Sequence, residues 1–232
     1  MPAADAARTG ATRRRGSLTR DAVLDAALKI VDEADIDGLT MRRVAADLGV
    51  DPMTLYRYVD GKEALLDGIV ETLWRQVAQV RLEVSDWGDA LRSFAASLRA
   101  VVQAHPTATG LLLTRPAVPR PTLEAFEALL DLLRDAGFED RDAARLIRVV
   151  TSVVLTEAAG ALTYRDLAPQ TGHATPEPVD GWISLAQLLP DDTPANLVRT
   201  AYLICAPQEA GDDVAFLVDL VLKGAQGLHR GT

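Results

Sequence analysis

Cysteine is almost absent from this chain. The one thiol, Cys205, cannot close an intramolecular disulfide. Beside Leu203 and Ile204 it reads either as a small buried apolar group or as a redox or interface residue. Histidine is as scarce, and His105, His173 and His229 share no metal-ligand spacing, so neither a metal nor another cofactor is expected. No apolar run reaches the roughly eighteen residues that suggest a membrane span. The N-terminus is basic but has no apolar stretch behind it, which argues against a signal peptide and for the cytoplasm. There is no Ser-His-Asp set, no phosphate loop and no pair of carboxylates in register, so an enzyme is not expected. No segment alternates as a strand does. What remains is a helical chain of 232 residues, long enough for one small domain and one larger one.

The net charge of -9 looks wrong for a nucleic-acid binder until it is divided. Residues 1–62 hold ten Lys or Arg and ten Asp or Glu, so residues 63–232, with fourteen against twenty-three, carry all of the excess. Duplex DNA should repel the larger C-terminal part and accept the smaller N-terminal one in a single orientation.

Residues 39–68 organise the rest. Thr40 is a good N-cap, and Val44, Ala45 and Leu48 lie at helical spacing on one face. Gly49 follows as a left-handed C-cap, with Val50 as the apolar plug of a tight turn. Asp51 caps the next helix and Pro52 opens it. That second helix is expected over residues 52–59, with only Leu55 and Val59 facing inward, leaving Met53, Thr54, Tyr56, Arg57 and Tyr58 for another surface. A face of aromatics, a hydroxyl and a cation suits the edge of a DNA duplex.

The order Gly38-Leu39-Thr40, Arg42, Val44-Ala45, Leu48-Gly49-Val50, Thr54-Leu55-Tyr56, Tyr58-Val59, Lys62, Leu65-Leu66 resembles the DNA-binding domain of the TetR family of bacterial repressors across residues 18–68. More sparsely, Trp87, Leu91, Arg92 and the Thr114-Arg115-Pro116 turn resemble the effector domain of the tetracycline repressor subgroup. The resemblance implies an all-α protein: a three-helix helix-turn-helix DNA-binding domain followed by a larger helical effector-binding and dimerisation domain. It divides the chain into a flexible basic arm (1–17), a DNA-binding domain (18–67) and a ligand-binding and dimerisation domain (68–232). The arm, ending in Arg13, Arg14 and Arg15, is either a solvated tail or a segment reaching the minor groove or adjacent phosphates.

A first helix over residues 19–34 places Val23, Ala26, Ala27, Ile30 and Val31 on one stripe. A fourth, over 63–83, is long enough to belong to both domains. Further helices are expected over 89–103, 107–113, 122–136, 141–167, 184–189, 194–205 and 212–228, with a proline-rich turn at 115–121 and a loop at 168–181. Residues 214–222 are apolar almost all round, as are 149–162, so both must be covered on more than one side. In the resembled family the matching helices form a four-helix dimer bundle; the alternative is that both line the monomer core.

The resemblance gives the site residues their roles. Arg42 would read a guanine edge, and Pro52, Met53 and Thr54 would touch thymine methyls and adjoining edges. Thr40, Tyr56, Tyr58 and Lys62 would hold phosphates, while Arg43 and Arg57 read equally well as solvated surface. For the effector, Trp74, Phe94, Leu98, Leu111, Leu112 and Tyr164 are the large side chains expected at a cavity. Arg115 matches an arginine that the subgroup uses at its pocket. Glu157 is either solvent-facing or a polar anchor. The subgroup's metal-binding histidines fall here on Ala78 and Leu111, and its pocket Asn and Phe on Phe94 and Leu98, so a larger or more apolar, metal-free effector is expected in place of magnesium-tetracycline. The reading is a homodimeric repressor that binds a palindromic double-stranded operator and is released by a small molecule, with no membrane partner. The alternative is an architectural or activating DNA-binding protein without an effector.

Overall fold

The computed structural model describes residues 18–78, 86–115, 119–167, 192–195 and 212–229. Outside them lie the basic arm, the loop at 168–181, the helix expected at 184–189, nearly all of that at 194–205, and Cys205. Among the described residues there are nine α-helices and no strand. No helix among them is long and apolar enough to cross a membrane.

Helix α1 (Arg20–Ala34) starts where the Thr19 hydroxyl accepts from the Ala22 amide, and it buries the expected stripe together with Leu24 and Leu28. Helix α2 (Met41–Leu48) is capped by Thr40 and closed by Gly49 at φ 67°, the left-handed conformation that glycine adopts without penalty. The Val50 amide then donates to the Ala45 carbonyl at 2.9 Å, completing the turn. Helix α3 (Pro52–Leu55) is shorter than expected. Past Leu55 the chain tightens: the Arg57 and Tyr58 amides donate three residues back, to Thr54 and Leu55, so residues 56–58 form a turn. Leu55 and Val59 are nevertheless buried, as their spacing requires.

Helix α4 (Lys62–Ala78) buries Leu65, Leu66, Ile69, Val70, Leu73, Trp74 and Val77. It packs against α1 on one side and against α7 on the other. Where α1 crosses it there is no room for a side chain on Gly68, because a Cβ there would strike Leu24. A division of the chain after residue 67 thus falls inside one uninterrupted helix.

Asp86 caps α5 (Trp87–Ala104), accepting from the Gly88 and Asp89 amides. Trp87 stands edge-on to Phe138 with ring centres 4.9 Å apart, and Leu91, Phe94, Ala95, Leu98, Val101 and Val102 face inward. Helix α6 (Pro106–Thr114) follows after a single residue, His105. Helix α7 (Arg120–Asp135) begins inside the proline-rich stretch expected as turn, because Pro121 falls in the first helical turn, where its missing N–H costs nothing. Helices α8 (Asp140–Leu167) and α9 (Asp212–His229) pack on each other and on α5, and Arg92 reaches Asp219 on α9 at 2.8 Å.

One hydrophobic core runs through all these elements, from Val23 to Ala225. The apolar stretch of α9 is only half covered: Val214, Val218, Leu222 and Ala225 are buried, while Phe216 and Leu220 are 65% and 56% exposed. Leu217 is half-buried, and Val149 on α8 is exposed.

Candidate nucleic-acid interface and ligand cavity

The turn between α2 and α3 is built almost wholly from local capping. The Thr40 hydroxyl accepts from the Arg43 amide at 3.2 Å, and Asp51 Oδ1 accepts from the Met53 amide at 2.8 Å. With Pro52 fixing the first residue of α3, these caps hold Arg42, Pro52 and Met53 around one open, shallow cleft with Ala46 and Val50. Met53 is 71% exposed and Tyr56 49% exposed, far more than large apolar side chains need to be if their task is packing. Thr40 is exposed as well, Thr54, Tyr58 and Lys62 are half-buried, and Tyr58 rests against the core.

Pairing sorts the cations of this unit. Arg20 is held by Glu71 at 2.8 Å and Lys29 by Asp47 at 2.8 Å, and the hydrogen bond to Asp47 keeps the Lys29 ammonium above the usual lysine range. Arg42, Arg43, Arg57 and Lys62 make no ion pair among the described residues. The charges left open therefore lie on or beside the helix-turn-helix. That arrangement suits an anionic partner that supplies its own counter-charges.

A second concave site opens in the larger unit. A cavity of about 350 Å³ lies between α4, α6, α7 and α8. Trp74 and Leu112 form one wall, with Thr122, Phe126 and Leu130 of α7 beside them. The opposite wall is a single face of α8 that includes Ala144, Ile147, Thr151 and Leu155. Trp74 meets Phe126 edge-on with ring centres 5.6 Å apart.

The residues expected at the effector site are only partly gathered here. Trp74 and Leu112 line the cavity. Phe94 sits behind Phe126, its ring centre 6.1 Å away, while Leu98 and Leu111 are core residues that do not line it. Ala78 is half-buried at the end of α4 and outside the cavity, and Glu157 is exposed. The side chain of Tyr164 is outside the described residues. Arg115 turns to α4, where its guanidinium donates to Asp67 at 2.7 Å and to Glu63 at 3.0 Å. Those hydrogen bonds, Asp67 first, raise the Arg115 guanidinium above its ordinary value and keep it charged.

Thr122, Phe126 and the α8 face went unnoticed in the sequence. The signal was present, since residues 144, 147, 148, 151, 152 and 155 recur at helical spacing on one side of a helix also packed against α5.

The family model described as bacterial regulatory proteins, tetR family, matches residues 23–69, and that described as tetracyclin repressor-like, C-terminal domain, matches residues 81–187. The HTH-type transcriptional repressor DrrR1 of Streptomyces coeruleorubidus is 33% identical over a stretch covering 71% of this chain and 62% of that protein, a little under two thirds of its length. The tetracycline repressor protein class A from transposon 1721 of Escherichia coli is 31% identical, covering 92% of this chain and 98% of its own. In fold, the chain superposes with a TM-score of 0.73 on ActR of Streptomyces coelicolor, in a crystal structure with actinorhodin, at 24% identity over 91% of this chain and 96% of that one. An open helix-turn-helix, a helical domain behind it and a repressor aligned almost end to end place this chain in the TetR family of bacterial regulatory proteins.

Proposed function

We propose that the chain is an effector-controlled transcriptional repressor which binds a palindromic operator as a homodimer and is released when a small molecule enters the α4–α6–α7–α8 cavity. One observation carries the reading: Trp74, a wall of that cavity, stands on the helix that directly follows the helix-turn-helix and packs on α1. Ligand binding that displaces Trp74 displaces α4, and with it the DNA-contacting surface. In functional terms residues 18–67 are the DNA-binding unit and 68–232 the effector and dimer unit. The resemblance to two repressors and to a protein crystallised with a small molecule supports this. No metal is required of the effector, and the cytoplasm is the proposed site of action.

On the DNA, Arg42 reads a base edge, with Pro52, Met53 and Thr54 giving apolar and hydroxyl contact beside it. Thr40, Tyr56, Tyr58 and Lys62 hold phosphates. The Thr40 hydroxyl proton is free for this task, because its oxygen serves as acceptor in the α2 cap. A second copy covers Phe216, Leu220 and Val149, large apolar side chains that are exposed on α9 and α8 among the described residues. The two-fold axis of such a dimer sets two recognition segments about one helical turn of DNA apart.

Arg42→Ala should cost about 1–3 kcal/mol and relax preference at one base pair. Lys62→Ala should weaken all sequences alike and lower the salt slope by about 1. Binding selections on randomised half-sites distinguish the two, and equal, uniform losses would remove the assigned roles.

Leu220→Glu tests the dimer without disturbing the monomer core, since the side chain is already exposed. The variant should sediment as a monomer and lose most operator affinity; a stable dimer with full affinity places the interface elsewhere.

Ala144→Phe, which enlarges a side chain lining the cavity, tests the switch. Release of the operator by a factor of 100 needs about 2.7 kcal/mol of coupling, within reach of a few pocket contacts. Screened against aromatic natural products in a gel-shift assay, wild type should release DNA at concentrations where the variant does not, with effector-free affinity as the control. Release unchanged by the substitution would show that the ligand enters elsewhere.

A further inference from the structure

The cavity carries a polar pattern that its apolar walls do not need. Of the hydroxyls buried among the described residues, Thr72 donates to the Gly68 carbonyl at 3.0 Å, Ser97 to Val77 at 3.0 Å and Thr109 to His105 at 3.0 Å. Thr122 is as deeply buried, at 4% exposure, yet its Oγ1 has no partner. It is also the one of the four that lines the cavity. A buried hydroxyl left unpaired costs free energy that an acceptor on a ligand would recover.

On α8, Arg148, Thr151 and Ser152 line the same cavity at successive helical spacing, Arg148 and Ser152 from exposed positions. Thr151 donates to the Ile147 carbonyl at 2.8 Å, which leaves its oxygen as an acceptor. Arg145, one turn earlier, is neutralised by Asp142 at 3.2 Å. Arg148 makes no ion pair among the described residues, and no carboxylate lines the cavity to oppose it. The other lining residues are apolar, and among them Trp74 and Phe126 are set edge to face.

We propose that the effector is an aromatic carboxylate. Its ring system lies against Trp74, Phe126 and Leu112, and its carboxylate takes the planar fork of Arg148, with the Ser152 hydroxyl donating beside it. An oxygen substituent at the other end of the rings accepts from Thr122. A volume of about 350 Å³ is near the lower end for ligand pockets and suits about two or three fused rings. This assignment rests on the reading of the cavity as the effector site.

The test is direct binding to the full chain, by calorimetry and tryptophan quenching, of anthracene-2-carboxylate and of its neutral carboxamide, which has nearly the same shape. Wild type should hold the carboxylate at least about tenfold more tightly. Arg148→Met should abolish that preference, Arg148→Lys should restore part of it, and Thr122→Val should leave it in place, since the isostere removes only a hydroxyl that the carboxylate does not use. Equal affinity for the two probes, a preference that survives Arg148→Met, or no binding of either would overturn the proposal. Ala144→Trp separates the two failures. If the probes bind alike and Ala144→Trp abolishes both, the cavity stands and only the acidic ligand is wrong; if both still bind unchanged, the cavity reading falls too.

Discussion

The structure depends on α4 being one rigid object that two units share. Its inward stripe runs from Leu65 to Val77 along a helix of 17 residues, about 25 Å of rod. It packs on α1, through Gly68, Glu71 and Arg75, and on α7, through Trp74. Each buried leucine contributes about 1.5–3 kcal/mol. The ion pairs around the rod, Arg20–Glu71, Arg75–Asp21 and Arg115–Asp67, are part-exposed and contribute about 0–1 kcal/mol each. Packing therefore holds α4 in place, and the polar contacts set its register against its neighbours.

Side-chain contacts also tie the larger helical unit to α1 and α4, the helices on either side of the helix-turn-helix in the chain. His105, the single residue between α5 and α6, lies 2.8 Å from Asp32 of α1 and 3.1 Å from Gln76 of α4. Arg115 at the end of α6 grips the start of α4. Both ends of α6 thus touch elements of the DNA-binding unit. Close-packed interfaces of this kind change by discrete steps and do not bend continuously, so a ligand that alters the cavity wall has few ways to be accommodated without moving α4.

How much of this was legible in the sequence follows from how local each cause is. Thr40, Gly49, Asp51 and Pro52 act within three residues of themselves, so the helix-turn-helix could be read directly. The early end of α3 could not, because the spacing of Leu55 and Val59 is served equally by a tightened turn. The stripes of α1, α4 and α5 were plain from their period. The cavity was not, since its walls come from four helices and the α8 face that lines it has the apolar spacing of any core face. Arg115 was read through a resemblance, and its actual partners, Asp67 and Glu63, lie far back along the chain, where no local pattern links them. The half-covered α9 was legible as an excess of apolar surface, while which side stays open required the fold.

The central claim is that ligand binding reaches the DNA through α4. It is tested most directly by the distance between the two recognition segments of the dimer, measured by electron-electron spin resonance with a nitroxide at Asp60→Cys in a Cys205→Ser background. Asp60 is exposed just after the recognition segment. With operator bound the distribution should be narrow, and a ligand that releases the operator should shift its mean by a few ångströms. Release of the operator with an unchanged distance distribution would contradict the account.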